Sequence, residues 1–387
     1  MIDFSLTEEQ QMLVEMTRSF VEKEMLPHEE TLESTDTLPP ELAASLRKRS
    51  MELGLHACNL PEKVGGGGLD AVSVMLIEKE LGRTSLALAE CAHRPLNILA
   101  ACEDEQVTQF LEPTLRGEKR DCIAMTEPGA GSDLRGMKCK AVRDGGCWII
   151  NGEKHFISQA FVSDFCVLFA ATGEEKTNKG IKKLISAFLV DFSDPGVEVA
   201  PGYKNVSHRG YTNNILRFEN ARIPEWRIMG SEGDGFRLVN QWLGPTRLTV
   251  AATCVARAER AFEIALNYAA TREQFGQKIG KFQGISFPLA DMTTEIKLAN
   301  LMLLETAWKI DRETVTPEDC AMTKLYCTEM LARVADQALQ TVGGMGLMED
   351  LPLERIWRDA RVERIWDGTS EIQRHIISRG LLRPLGS

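Results

Sequence analysis

Met137-Lys138-Cys139-Lys140-Ala141-Val142 and, just after it, Asp144-Gly145-Gly146-Cys147-Trp148-Ile149-Ile150 mark where the pattern of the chain changes. Apolar and polar residues alternate from Met137 to Val142. Asp144-Gly145-Gly146 supplies a turn, and Cys147 to Ile150 runs extended, which together predict a β-hairpin. Phe165 to Ala171, Ile185 to Asp191 and Ile215 to Glu219 are further strand candidates punctuated by Gly and Asn. Residues 122–229 therefore read as a small antiparallel β-domain, a small barrel.

On either side the period is helical. In residues 1–121, Ser5-Leu6-Thr7-Glu8 reads as a capping box ahead of Leu13, Met16 and Phe20, with Pro27 ending that helix. Pro39-Pro40 opens a second helix with Leu42, Leu46 and Leu53 on its apolar face and Gly54 at its C-terminal end. Gly65 to Gly68 reads as a mobile loop; no strand precedes it and no Gly-Lys-Ser/Thr follows, so a phosphate cradle is only weakly indicated. Asp70 caps a helix running to Leu81, and Val107, Phe110 and Leu111 mark another before Pro113. In residues 230–387, Phe236 to Trp242 is followed by Thr246 to Arg272, Ile285 to Ile310 and Pro317 to Leu339. Three such long helices fit a bundle. The expected architecture is α+β and multidomain: an N-terminal α-helical domain (1–121), a middle β-domain (122–229) and a C-terminal four-helix bundle (230–387).

The composition narrows the function. A chain of 387 residues with 43% hydrophobic and 26% charged residues is an ordinary globular balance, long enough for two or three domains. A net charge of −11 argues against nucleic acid or an anionic membrane surface as partner. No apolar run is long enough to span a bilayer. Met1-Ile2-Asp3-Phe4 does not read as a secretory or transit signal. Ten cysteines without C-x-x-C pairs indicate neither a zinc site nor a disulfide framework, so no metal and a reducing cytoplasm are expected.

Four stretches carry chemistry. Ile123-Ala124-Met125-Thr126-Glu127-Pro128-Gly129-Ala130-Gly131-Ser132-Asp133 leaves a strand and enters a glycine-rich loop whose N–H groups and hydroxyls can meet a flat polar ligand; an ordinary turn is the plainer reading. Thr271-Arg272-Glu273-Gln274-Phe275-Gly276 ends a long helix, where Arg272 either clamps a phosphate or answers the helix dipole. Gln340-Thr341-Val342-Gly343-Gly344-Met345-Gly346 is a glycine-rich helix end. In Arg364-Ile365-Trp366-Asp367-Gly368-Thr369-Ser370-Glu371-Ile372-Gln373-Arg374, Asp367 sits in a break between two helical patterns. It either caps the last helix or points into a cleft.

Joined, these pieces resemble the acyl-CoA dehydrogenase family of flavoproteins, over nearly the whole chain and in the family's domain order. T-E-P-G-A-G-S-D at Thr126–Asp133, R-x-x-F-G at Arg272–Gly276, F-Q-G-I-S at Phe282–Ser286, Q-T-V-G-G-M-G and D-G-T-S-E-I-Q carry the resemblance. It implies FAD-dependent α,β-dehydrogenation of an acyl-CoA thioester to a trans-2-enoyl-CoA, as in fatty acid β-oxidation. A carboxylate takes the α-proton, the β-hydrogen leaves as hydride to flavin N5, and electrons pass to an electron-transfer flavoprotein. Position by position it places Asp367 at the base and Arg247 beside it. Ile123, Met125, Thr126, Gly131, Ser132, Phe156, Ile157 and Ser158 come to the flavin, with Phe156 and Ser158 where the family has Trp and Thr. Arg272, Phe275, Gln283, Gln340, Gly343 and Gly344 are implied at the rest of the FAD, from a neighbouring subunit, with Thr369 and Glu371 on its other side. Ser132, Thr246, Arg247, Gly368 and Arg94 would meet the substrate. A site shared in this way implies a homodimer or a dimer of dimers.

Two departures matter. The family base in this segment is usually Glu, and Asp reaches about 1.5 Å less. The other family position for a base is Thr246 here, which cannot serve. Gly244 stands where some relatives carry an acid near CoA, so chain-length class is not assigned. The acyl pocket is implied at Ala87–Pro95, where Glu90, His93 and Arg94 are polar for a pocket holding fatty tails. A polar or carboxylated acyl group is one reading and a surface salt-bridge cluster the other. Alternatives on the scaffold are a reductase or lyase acting on a short polar acyl-CoA. A third is a non-catalytic subunit lending half an FAD site.

Overall fold

The protein, described by a computed structural model over residues 5–177 and 180–386, is built as helices, sheet, helices. Met1–Phe4, on which the reading of the N-terminus rested, lie outside the described residues. The first layer holds α1 (Glu8–Phe20), α2 (Glu29–Thr35), α3 (Pro40–Glu52), α4 (Ala71–Leu81) and the short α5 (Leu86–Ala89) and α6 (Glu112–Leu115). The capping box belongs to Thr7 and Gln10, two residues later than the sequence indicated. Pro27 does not stop the chain's helical course: a π turn over Val21–Met25 and a 3₁₀ turn over Leu26–His28 carry it into α2. Proline is tolerated there because it sits in the first turn of the new segment. Gly65–Gly68 is tightly packed: a Cβ on Gly66 would come within 2.2 Å of the Leu60 carbonyl oxygen.

The sheet comprises β1 (Asp121–Ala124), β2 (Lys140–Asp144), β3 (Cys147–Ser158), β4 (Phe165–Thr177), β5 (Gly180–Asp191), β6 (Val197–Pro201), β7 (Asn213–Pro224) and β8 (Ile228–Met229). Its order is β6-β7-β3-β2-β4-β5-β8, with β1 also on β4. The hairpin expected at Asp144-Gly145-Gly146 is the β2–β3 turn, and most pairs are antiparallel. β1 and β2 both run parallel to β4, which the strand pattern did not reveal. Alternation puts Trp148 and Ile150 inward, where Trp148 packs edge-on against Phe188 at 5.3 Å between centroids.

The last layer is α7 (Gly235–Thr271), α8 (Gln283–Asp311), α9 (Pro317–Val342), α10 (Leu353–Glu363) and α11 (Ser370–Leu382). Phe236–Trp242 and Thr246–Arg272, expected as separate helices, are one continuous rod of 37 residues through Pro245. Pro245 removes one N–H, and packing of α7 on α9 and α4 outweighs a local cost of about 3 kcal/mol. Small residues, Ala251, Ala252, Ala256 and Ala258, let α7 run through the centre, close enough that a Cβ on Gly82 would meet the Thr253 backbone at 2.6 Å. α4 is buried nearly all round because Ile77 faces the first layer while Val74 and Met75 face the bundle.

Candidate active site

α10 ends at Glu363, and six residues later Thr369 caps α11 with its hydroxyl on the Ile372 N–H. Asp367 is therefore free of capping duty. Its φ of 50° is left-handed, a region that costs a non-glycine residue of order 1–3 kcal/mol and that Asp enters more readily than most. Gly368, at φ 92°, completes the reversal. Three donors hold the two carbonyls of this turn: Gln373 Nε2 (3.2 Å to Asp367 O, 2.8 Å to Gly368 O), Lys324 Nζ (2.9 Å to Gly368 O) and Arg247 Nε (3.5 Å to Asp367 O). The N–H of Asp367 meets no protein acceptor among the described residues.

Asp367 opens onto a cavity of about 980 Å³ between the three layers. Burial pushes its carboxyl up to about 6; Lys324 and Arg247 pull downward, and Glu363 adds repulsion. Behind it lies a charged network. Glu363 accepts from Arg257, from the Trp366 indole N–H at 2.8 Å and from His208 Nε2 at 3.2 Å, while His208 Nδ1 faces Asp359 at 3.3 Å. Burial alone would discharge His208, but Asp359 and Glu363 outweigh it and raise its pKa. The His208 and Trp366 rings stack, 5.1 Å apart and 5° from parallel. Trp366 and Asp367 are thus braced from α7, α10 and the β6–β7 connection together.

The opposite wall is the loop after β1. Met125, Thr126, Gly131 and Ser132 line the cavity, as do Ile123 and Phe156, Ile157 and Ser158 of β3. Sequence reading missed what holds this loop. Glu127 accepts from Lys138 N (2.6 Å), Cys139 N (3.0 Å) and the fully buried Lys154 (2.8 Å), whose ammonium also donates to Met125 O (2.9 Å). A lysine in the middle of a strand's inward register was the available signal. Phe156, also left-handed (φ 55°), leaves 53% of its surface open beside Tyr203. Tyr211, which lines the cavity with Ser158, is kept protonated by burial.

At the far end stand Glu78, Glu90, His93, Arg94, Arg120 and Asp121. This is no solvent-facing cluster. Arg94, with 9% of its side chain exposed, is forked onto Glu78 (2.6 and 2.9 Å), with Nη1 on the Ala89 and Ala92 carbonyls. His93 Nε2 meets the buried Asp121 at 2.7 Å. Glu90 stays 29% exposed, 3.9 Å from Arg94 and 3.8 Å from Arg120, with no hydrogen bond to its carboxylate among the described residues.

Not every expected residue comes to this cavity. Thr246, Arg247, Gly368 and Thr369 do. Arg272 and Gly344 line a second cavity of about 630 Å³ at the far end of α7, with Tyr268 and Thr341. Phe275, Gln283, Gln340, Gly343 and Glu371 lie exposed on the bundle and line neither; Phe275 is 93% exposed.

This division by layer has close parallels among known proteins. The family descriptions "Acyl-CoA dehydrogenase, N-terminal domain", "middle domain" and "C-terminal domain" match residues 7–118, 122–221 and 233–382. The chain is 37% identical to the probable acyl-CoA dehydrogenase YngJ of Bacillus subtilis, over 99% of this chain and all of that one. It belongs to the acyl-CoA dehydrogenase family. It is 36% identical to the human mitochondrial short-chain specific acyl-CoA dehydrogenase, over 98% of this chain and 91% of the relative. Its fold superposes on butyryl-CoA dehydrogenase from Megasphaera elsdenii with a TM-score of 0.90 at 30% identity, covering 99% and 100% of the two chains.

This acyl-CoA dehydrogenase uses FAD, and its walls fit a flavin. An aromatic ring stands open on the cavity beside a loop poor in side chains, where Gly129 and Gly131 leave their Cβ directions clear of close contacts. His155 Nδ1, buried next to that ring, has no hydrogen-bond partner among the described residues.

A stability signature follows from the raised Asp367 pKa. The folded state binds this proton more tightly than the unfolded chain. Stability is therefore lost as pH rises from about 4 through 6 and stays lost above. Asp367→Asn removes that penalty, so the FAD-free variant should melt a few degrees above the FAD-free wild type at pH 8. The gain should vanish below pH 4, as thermal scans across pH will show.

Proposed function

We propose that Asp367 is the base of this acyl-CoA dehydrogenase and that its substrate is a short acyl-CoA with a polar acyl end. What carries the reading is a carboxyl held at about pKa 6 on the wall of the large cavity, in a left-handed turn pinned by three donors. A base near neutrality combines the ionised form with proton-accepting power at working pH. Asp367 takes the α-proton, and the charge left behind moves into the thioester carbonyl. The unpartnered N–H of Asp367 is placed to donate to that oxygen. Excluding water as substrate enters strengthens the base further. FAD supplies the two-electron acceptor for the β-hydrogen, and an electron-transfer flavoprotein is the proposed onward acceptor. Thr246, whose hydroxyl is spent on the Trp242 carbonyl at 3.0 Å, serves as wall.

The acyl-end reading moves from Arg94 to Glu90. Arg94 has its donors engaged, whereas Glu90 presents open acceptors to the cavity. Arg272, Phe275, Gln283, Gln340, Gly343 and Gly344, remote from Asp367, complete the FAD site of a second copy of the chain, with Glu371 and Thr369 on the near side. A cytoplasmic enzyme of acyl-CoA metabolism accommodates the ten unpaired cysteines.

The test is anaerobic bleaching of the yellow protein near 450 nm by a panel of acyl-CoA thioesters. Short hydroxylated or otherwise polar acyl groups should exceed palmitoyl-CoA in kcat/KM by tenfold or more. Glu90→Gln should narrow that gap, whereas Arg94→Ala should mainly cost stability by stranding Glu78. Palmitoyl-CoA as the best substrate defeats the polar-end reading, and a flavin untouched by every thioester defeats the whole.

A further inference from the structure

α9 buries a lysine where its pattern calls for an apolar residue. Cys320, Ala321, Cys327 and Leu331 share the buried face with Lys324, which has 0% exposure. A buried ammonium needs an anion nearby, yet no carboxylate approaches Lys324 within 4 Å among the described residues; its hydrogen bond goes to Gly368 O at 2.9 Å. The carboxylates that face it are Asp367 and Glu363, and the other groups near it are Arg247 and the Cys254 thiol. Glu363 is already engaged by Arg257, His208 and Trp366. That leaves Asp367 as the counter-charge of Lys324.

Resting on the reading of Asp367 as base, we propose that Lys324 is a positioning residue of the reaction: it pins the Gly368 carbonyl and supplies a fixed positive charge behind Asp367. Pinning keeps the left-handed Asp367–Gly368 turn in one geometry, so the carboxylate and the Asp367 N–H face the same point. The charge favours the ionised base before reaction. When the α C–H bond breaks and the proton joins an Asp367 oxygen, the electron pair delocalises into the thioester. Lys324 and Arg247 are then the fixed cations that offset the negative charge. Around Asp367 the titratable and charged neighbours are Lys324 on α9, Arg247 on α7, Glu363 on α10 and Tyr211 before β7, with Cys320 beside Arg247. Of these, only Lys324 both binds the turn directly through an N–H bond shorter than 3 Å and bears charge.

Two variants separate charge from anchoring. Lys324→Gln keeps a donor for Gly368 O and loses the charge; Lys324→Arg keeps the charge. Anaerobic flavin reduction by a saturating acyl-CoA is followed from pH 5 to 9, with FAD content and product-CoA affinity measured alongside. In Lys324→Gln the acid limb of the rate should move up by about one pH unit and the rate at pH 6 should fall about fivefold. FAD content and CoA affinity should stay within twofold, and Lys324→Arg should restore the limb. An FAD-replete Lys324→Gln whose limb coincides with wild type overturns the proposal, as does a Lys324→Arg limb displaced as far as that of Lys324→Gln. Asp367→Asn in the same assay keeps the two readings apart. If it reduces flavin at the wild-type rate, the base assignment itself is wrong; if it is inactive while Lys324→Gln keeps its limb, only the role of Lys324 falls.

Discussion

Asp367→Asn should bind FAD and CoA as the wild type does and lose flavin reduction by at least the ~10²–10⁴-fold that removing a general base costs. The amide is nearly isosteric, and the donors that hold the turn act on backbone carbonyls, so the left-handed geometry survives the change. Stopped-flow absorbance near 450 nm reads the effect directly. Asp367→Glu refines it. If the longer side chain keeps or raises activity on simple acyl-CoAs, the backbone stands where Glu-bearing relatives place theirs. If activity falls, the cavity has been rebuilt around the shorter acid. A wild-type rate in Asp367→Asn would mean that another group takes the proton.

Glu363→Ala is expected to have the largest effect on stability, about 3–5 kcal/mol, because it strands Arg257 and His208 in the interior. The Trp366 indole loses its acceptor as well, so the stacked His208–Trp366 pair should loosen next to Asp367. Chemical denaturation and Trp fluorescence would report the two losses together. Glu363→Gln, which leaves a hydrogen-bonding side chain, should cost less and retain part of the activity. A melting temperature unchanged in Glu363→Ala would mean that the buried network adds nothing to the fold.

The layered fold was legible because its signals are periodic. Alternation from Met137 and the long apolar series on α7, α8 and α9 are local properties of the sequence. So was the break at Asp367, since Gly368 and Thr369 are turn and cap residues in their own right. What could not be read is set by tertiary partners. The continuity of α7 through Pro245 depends on what packs around it. The parallel pairing of β1 and β2 with β4 is a matter of topology, not of pattern. Glu127–Lys154 and Arg94–Glu78 join residues whose separation says nothing about contact. Lys324 was readable in principle, as one charge on an otherwise apolar helix face, but its target at Gly368 was not.

The unbroken α7 carries Arg247 at the acyl cavity and ends against Arg272 at the far pocket. Twenty-five residues at ~1.5 Å each hold these two arginines about 38 Å apart, farther than one dinucleotide reaches. On the FAD assignment proposed above, these are halves of two different sites, and a second chain brings the missing half of each. The prosthetic group then behaves as a rivet across a subunit boundary. Dilution should bleed colour from the protein, added FAD should drive chains together, and each equilibrium should report on the other through mass action.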